Sequence, residues 1–452
     1  MPFENKSSDA DTDYLSDGLA ESLIYRLSQL PNLKVSPTSS VFRYKGKATD
    51  PQIVAKELGV DSVLTGRIVQ RRDNLTISVN LIDTRNGKSL WGEQYERKLS
   101  ELLATQREIA AEITNKLQLK LSGAGEKVMA KQYTDNNDAY QLYLKGNFYA
   151  SQYTKESLAR GSEYYNQAIA IDPNYALAYN GLAYYYIVAD DFYLSPSDSM
   201  PKARAAAKRA LEIDETLADA HTSLAVVLHW YDWDWAAAER EYQRAIELNP
   251  NDPRTRQDYA WFLVQVGRTE QAIAEGKKAQ QLDPLSPEVG MFLGQVFNFA
   301  RRNEEAIEQL RKTVELDPNY WVAHDDLGRA YEQKGDLSQA MTEYQRARQL
   351  EKNVPEVLAL VGRAHALSGK KAEAQKVIDE LKELSKRTYV PPYNFAIIYA
   401  GLGDKDEAFA YLNRAYNERS YYLTWLNVDS QLDNLRDDPR FRELVKKVGI
   451  PE

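Results

Sequence analysis

The 452-residue chain has no cysteine, only four histidines, no long apolar run and no excess of positive charge. Without cysteine there is no disulfide framework, thiolate zinc site, iron–sulfur cluster or cysteine nucleophile. His221, His229, His324 and His365 leave little for a metal site or proton relay, and none has a second ligand at helical spacing. His221, His324 and His365 fall at repeat positions that pack between helices, and His229 reads as packed or groove-lining. No stretch approaches the roughly 18 consecutive apolar residues of a membrane span. No charged start leads into an apolar core, so no secretory signal is visible. Net charge is −9. Residues 1–122 carry 17 basic and 16 acidic side chains, and the remainder carries 40 and 50, so neither part reads as a nucleic-acid binder. Gly-x-Ser-x-Gly, phosphate-loop and kinase motifs are missing. The reading is therefore non-enzymatic, with no cofactor and no metal. Acidic pairs such as Asp190 with Asp191 and Asp325 with Asp326 read as solvated or capping residues.

What the chain has in excess is tyrosine, 30 against 11 phenylalanines and 7 tryptophans. Only Tyr14, Tyr25, Tyr44 and Tyr95 lie in the first 122 residues, while thirteen crowd between Tyr133 and Tyr193.

The first 122 residues alternate helical and strand periods. Ser16–Leu30 has helical apolar spacing, and Pro31 stops it. Leu33–Val35 is a short strand candidate. Asp50 as cap, Pro51 at the first position and Gly59 at the end frame a helix over Pro51–Leu58. Asp61–Arg71 and Asn74–Asp83 read as strands, the second with clean alternation. Asn86 and Gly87 turn the chain into a third strand over Lys88–Tyr95. Glu101–Leu121 is a long amphipathic helix. The result is a small α+β (α/β) domain.

Three blocks carry a resemblance: PFEN with a following Ser-Asp at Pro2–Asp9, YLSDGLAESLI at Tyr14–Ile24, and ELGVDSVLTGRI with LIDTRNGKSLW further on. Together they resemble the amino-terminal domain of TolB and its relatives. In that family an apolar strand precedes the Pro-Phe pair. Its absence here leads us to expect a truncated start and a sheet short of one strand. Residues 123–138 read as a loose linker.

From residue 139 the period changes. Leu/Ile-Asp/Asn-Pro signatures end at Pro173, Pro250, Pro284 and Pro318, and the last three are 34 residues apart. Pairs such as Leu327-Gly328 with Tyr331, followed by Gly335 and then Ala340, Tyr344 and Ala347, complete the tetratricopeptide pattern. The expected solenoid runs over 139–420 in about eight units, with an insertion at Asp191–Met200 read as a loop. Residues 421–452 should form a capping helix and tail.

The inward positions of the repeat register are Tyr140, Tyr143, Asn147, Asn180, Tyr184, Trp230, Gln257, Trp261, Met291, Asn298, Asp325, Arg329, Arg363 and Tyr393. Aromatic residues and arginine dominate binding interfaces. These residues are therefore expected to line a concave groove for a protein or peptide partner. The lysine and asparagine clamp by which other tetratricopeptide domains hold carboxylates is missing. A small-molecule or glycan sensor, with its ligand between the α/β domain and the first repeats, is the alternative.

As a whole the chain resembles the carboxy-terminal region of bacterial signalling proteins in which a cyclase, kinase or winged-helix domain comes first. That resemblance implies a sensory or scaffold part. It also implies an effector or membrane tether upstream of Met1, with an extracytoplasmic location slightly favoured.

Overall fold

The computed structural model describes residues 1–7, 12–30, 32–119 and 123–451. Ser8 and Asp9 of the first sequence block, the Pro31 helix stop and the junction at residue 122 lie outside the described residues.

An α/β domain comes first. Four strands, β1 (Phe3–Asn5), β2 (Ser62–Arg71), β3 (Asn74–Asp83) and β4 (Lys88–Lys98), pair in that order. β1 runs parallel to β2, and the two hairpin partners are antiparallel. The Pro-Phe segment thus forms a three-residue edge strand. Gly66 admits it: a Cβ there would sit 2.6 Å from the Phe3 ring. β3 buries Leu75, Ile77, Val79 and Leu81 on one face, as alternation requires. Helices α1 (Asp13–Ser28) and α4 (Leu102–Lys116) cover that face, with Leu15, Leu19, Ile109 and Ala110 fully buried. α2 (Thr38–Val41) and α3 (Pro51–Leu58) connect α1 to the sheet. Asp50 accepts the Gln52 amide at the start of α3, and Gly59 closes it at φ +63°. Leu33–Val35 is not a strand. It has no ladder partner, and Leu33 and Val35 pack on the core.

The expected loose linker contains a helix, α5 (Gly123–Ala130). Arg26, buried on α1, donates to the carbonyls of Met129 and Lys131 at 3.1 and 3.0 Å and so ties down its end.

Antiparallel helix pairs follow: α6 (Asn137–Ala150) with α7 (Lys155–Ile171), α8 (Ala176–Phe192) with α9 (Pro196–Ile213), α10 (Ala218–Val227) with α11 (Trp235–Leu248), and α12 (Pro253–Gln265) with α13 (Thr269–Leu282). The series continues with α14 (Pro287–Phe299) and α15 (Asn303–Leu316), α16 (Trp321–Lys334) and α17 (Leu337–Leu350), α18 (Pro355–Leu367) and α19 (Lys371–Leu384), and α20 (Pro392–Leu402) and α21 (Lys405–Asn417). The chain is an α/β domain followed by an all-α tetratricopeptide solenoid. The insertion at 191–200 is absorbed by lengthening α8 and α9 rather than by a loop. Pro196 suits the first turn of α9, where no amide partner is needed. A π-helical turn, Leu228–Asp232, extends α10 and swings Trp230 inward.

Each pair closes through a small residue on its first helix. At Gly328 an added Cβ would lie 2.4 Å from the ring of Tyr344, which is fully buried. Gly328→Ala is expected to lower stability by about 1–3 kcal/mol through overpacking. The urea midpoint reads this out, and an unchanged midpoint would contradict the packing account. Tyr165 makes the same contact twice, wedged against Gly146 and Gly181.

The α/β domain lies across the arc of the first five pairs. The Tyr140 hydroxyl donates to Ser22 at 2.9 Å, and Leu144 packs on Gly18. Farther along the arc, Ser39 and Ser40 both donate to Asp283, and Arg43 donates to the Leu316 carbonyl at 3.1 Å.

Residues after α21 enter the concave side. Two 3-10 turns, Tyr421–Trp425 and Ser430–Leu435, run along it and lead into α22 (Pro439–Val448). The Val448 carbonyl accepts the Trp235 indole N–H at 3.2 Å, so the end of the chain touches the third pair. The tail therefore fills the superhelix instead of only covering its last pair.

Candidate functional site

The predicted groove residues divide into two sets. Tyr140, Tyr143, Asn147, Asn180, Tyr184 and Gln257 line a cavity of about 440 Å³ between the α/β domain and the first repeats. Trp230, Trp261, Met291, Asn298, Arg329, Arg363 and Tyr393 lie farther along, where the tail and neighbouring helices bury most of their surface.

In the second set, Trp230 stacks on Tyr421 with ring centres 5.0 Å apart, and Trp261 meets Trp425 edge-on at 5.6 Å. Tyr393 stacks on Tyr422 and donates its hydroxyl to Asp429 at 2.6 Å. Arg329 lies over Trp425 and donates to Gln431 at 2.9 Å. Arg363 is held by Glu332 at 2.7 Å and by the Ile397 carbonyl at 3.0 Å. Met291 belongs to the same apolar cluster, and the Asn298 carbonyl accepts from Gln333 at 3.0 Å. An open groove was expected here. The tail occupies it because Tyr421, Tyr422 and Trp425 supply the apolar surface that the inward-facing rings need.

The acidic pair Asp325 and Asp326 is likewise not solvated. Each is 2% exposed. Asp325 faces Arg329, and Asp326 accepts the Gln295 amide at 2.9 Å. Asp190 is buried and accepts from Ser199 at 2.8 Å. The side chain of Asp191 lies outside the described residues. Three of the four histidines are satisfied locally, and the Nδ1 of His365 is buried without a partner among the described residues. His221 and His324 each bridge a glutamate on the second helix and a carbonyl six residues back. His229 is fully buried against Gln265 at 2.8 Å. Among the described residues no group of three or more acidic or histidine side chains is placed to hold a metal ion.

The cavity is built from three directions. α1 contributes Glu21, Ser22 and Tyr25, and α6 and α8 contribute Tyr143, Asn147, Asn180 and Tyr184. The starts of α10, α12 and α14 contribute Asp219, Asp252, Arg254, Gln257 and Glu288. Eight of its lining residues are tyrosines, which is where the early tyrosine excess collects. Tyr143 packs against Tyr175 at 5.3 Å and Tyr165 at 6.0 Å. The Tyr165 hydroxyl donates to Asn147 at 2.8 Å. The Arg254 guanidinium sits 4.1 Å from the Tyr184 ring centre and pairs with Asp258 at 3.8 Å. The acidic members were not singled out from the sequence, since acids at helix starts ordinarily cap or solvate.

Burial dominates the electrostatics. It pushes Glu21 up to about 7, with Asp17 adding to the effect. It pushes Asp219 up to about 7, with Asp252 adding. Asp258 is raised to about 7 in the same way, only partly offset by Arg254. These carboxyls hold protons in the folded chain at pH values where the unfolded chain has lost them. Their contribution to stability is full below about pH 4 and is lost as pH rises through about 7. His229 works in the opposite direction: burial lowers it to about 4, so its contribution is present above about 6.5 and is lost toward pH 4. Between pH 6 and 8 the carboxyls, with Asp326 also raised to about 7, outweigh the Met1 amino group, which burial lowers to about 5 and whose contribution grows toward pH 8. The melting temperature is expected to fall across that window, by about 1 kcal/mol of stability per group. The combined Glu21→Gln and Asp219→Asn variant should flatten the decline, and a melting temperature that rises with pH would contradict these assignments.

Comparison with known proteins adds an independent view. Residues 1–112 match the second domain of HilA/YgeH-like transcriptional regulators. Residues 234–296, 300–364 and 393–420 match tetratricopeptide repeats. A putative adenylate cyclase 3 of Rhizobium meliloti (strain 1021) is 31% identical over 234 residues, which is 51% of this chain and 40% of the cyclase. The transcriptional regulator HilA of Salmonella typhimurium is 26% identical over 164 residues, 36% of this chain and 30% of HilA. The chain thus spans less than half the length of these curated relatives. A solved IFIT1 monomeric mutant with Gppp-AAAA overlays with a TM-score of 0.50 at 15% identity, covering 76% of each chain, and shares the fold alone. A small amino-terminal domain with weak homology to HilA-like bacterial regulators, followed by a tetratricopeptide region, is what these comparisons establish.

Proposed function

We propose that this chain is the non-catalytic, regulatory part of a bacterial signalling protein and that its ligand binds in the cavity between the α/β domain and the first repeats. One observation carries the reading. Tyr143, Asn147 and Tyr184 stay half-buried and line that cavity, whereas the inward-facing rings of the later repeats are packed against the chain's own tail. A pocket of a few hundred Å³ with aromatic walls and a few convergent polar groups suits a small ligand. Its position between two folded units lets binding alter how they sit together. The similarity to a cyclase and to a transcriptional regulator, with the TolB-like blocks of the first domain, supports a role in which this region informs an effector. The same resemblance favours an extracytoplasmic site of action, and no described helix is long and apolar enough to cross a membrane.

Tyr184→Ala is the test. Tyr184 is half-buried and faces the cavity, so its removal should leave the fold intact while weakening any ligand found by thermal-shift screening. A ligand that stabilises wild type and Tyr184→Ala equally would overturn the proposal.

A second reading keeps the protein or peptide partner in the concave groove. The tail itself favours it, since an extended aromatic segment already lies there. A partner would have to displace residues 421–435. A bound peptide that leaves the amides of those residues protected from hydrogen exchange would exclude this reading.

A further inference from the structure

The charges around the cavity do not balance. Two of its three guanidinium groups are committed elsewhere: Arg26 to the carbonyls at the end of α5, and Arg107 to the Thr134 carbonyl at 2.8 Å. Asp283 is committed to Ser39 and Ser40. Asp252 is committed to the Thr255 amide and hydroxyl at the start of α12. That leaves Glu21, Asp219 and Glu288 against the single Arg254, which already serves Asp258 behind it. Asp219 is the telling member. It lines the cavity, is half-buried, and has neither a hydrogen bond nor an ion pair among the described residues. A partly desolvated carboxylate without a partner is costly.

The groups facing these carboxyls make the imbalance local. Glu21 meets Asp17, Asn147 and Lys45, and Lys45 is already paired with Asp17 at 2.5 Å. Asp219 faces Asp252, Arg254 and the Tyr25 hydroxyl. Both carboxyls line the cavity together with Tyr143, and both help to hold its hydroxyl protonated. Carboxylates beside tyrosine rings are the chemistry that holds ammonium and guanidinium groups, by charge and by the ring faces.

We infer that the ligand of this cavity is a small organic cation, its ammonium or guanidinium group seated at Asp219 and Glu21 against the Tyr143 wall. This rests on the cavity being the ligand site. A neutral sugar would leave the unpaired Asp219 unpaired, and an anion would meet the same carboxylates. Because both carboxyls hold protons near neutrality, the cation displaces those protons on binding, and affinity rises with pH between 6 and 8.

Titration calorimetry on the full chain tests this with four probes: spermidine, agmatine, maltose and citrate. Physiological ionic strength screens diffuse attraction to the acidic surface. At least one of the two cations should bind at a single site, with proton release seen as a buffer-dependent enthalpy. Asp219→Asn should weaken it about tenfold or more, the loss of one charged contact. That variant removes an unpaired, partly desolvated charge, so it should fold. Glu308→Gln, on the exposed face, should bind as wild type does. Cation binding that Asp219→Asn leaves untouched would overturn the inference. If only maltose or citrate binds and Tyr184→Ala abolishes it, the cavity stands as a ligand site and the cationic assignment falls. If none of the four binds at millimolar concentration, the cation assignment falls, and the cavity reading then depends on the thermal-shift screen alone.

Discussion

Trp425→Ala should destabilise the solenoid by about 3–5 kcal/mol, the range for deleting a buried large aromatic side chain. Trp425 is 4% exposed and meets Trp261, Phe299, Tyr393, Tyr421 and Tyr422 at ring-centre distances between 4.7 and 6.2 Å. These partners come from the fourth, fifth and eighth pairs and from the tail itself. One substitution therefore removes the contact that joins distant repeats. The loss should be non-local: hydrogen exchange should accelerate in α12, α14 and α20 together. Repeat arrays usually respond to a mutation mainly in the unit that carries it and its neighbours. A local response confined to residues 421–435, with an unchanged urea midpoint, would show that the tail is a passive occupant.

Arg329→Ala should cost a similar amount, about 3–5 kcal/mol, for a different reason. Arg329 is 8% exposed and donates to Asp325, Glu356 and Gln431. Without it, two carboxyls remain enclosed with no opposite charge. Burial already holds Asp325 well above the usual carboxylate range despite Arg329, and removing the guanidinium raises it further. The variant should therefore recover stability as pH is lowered toward 5, because protonated Asp325 no longer needs a cation. Arg329→Lys should not restore the wild type, since one ammonium cannot serve three acceptors in the directions the fork reaches. Equal stability of Arg329→Ala and wild type at pH 8 would show that the network contributes nothing.

The same contacts bear on the concave groove. Register alone makes Trp230, Trp261, Arg329 and Tyr393 ligand contacts, because their position in the repeat faces inward. That direction is correct, but register does not say what the inner side faces. Tyr421, Tyr422 and Trp425 carry no repeat signature and follow the last unit, so from sequence they read as part of a cap. Only closure of the superhelix, sealed by Trp235 and Val448, brings them onto the inner rings. Trp261→Ala is consequently a stability variant and a poor probe of partner binding.

The cavity was partly legible. Tyr140, Tyr143, Asn147, Asn180, Tyr184 and Gln257 follow from register. The tyrosine cluster between residues 133 and 193 pointed to the same region. Glu21, Asp219, Asp252 and Glu288 could not be found that way, because each sits at an ordinary polar position of an amphipathic or capped helix. They share one cavity only because the α/β domain bridges the arc from the first repeats to Asp283.

Local periodicity, then, was sufficient for the helices, the sheet and the repeat itself. Period two in β3, period 3.6 in α1, and proline and glycine every 34 residues each act over a few residues, where side-chain spacing alone fixes the backbone. What fills the inner face, and where carboxylates from α1, α10, α12 and α14 meet, depends on superhelical curvature and on where two chain ends settle. Those contacts span from tens to more than two hundred residues of sequence. They are set by which apolar and charged surfaces the folded arc brings opposite one another, and no short window of sequence contains that information.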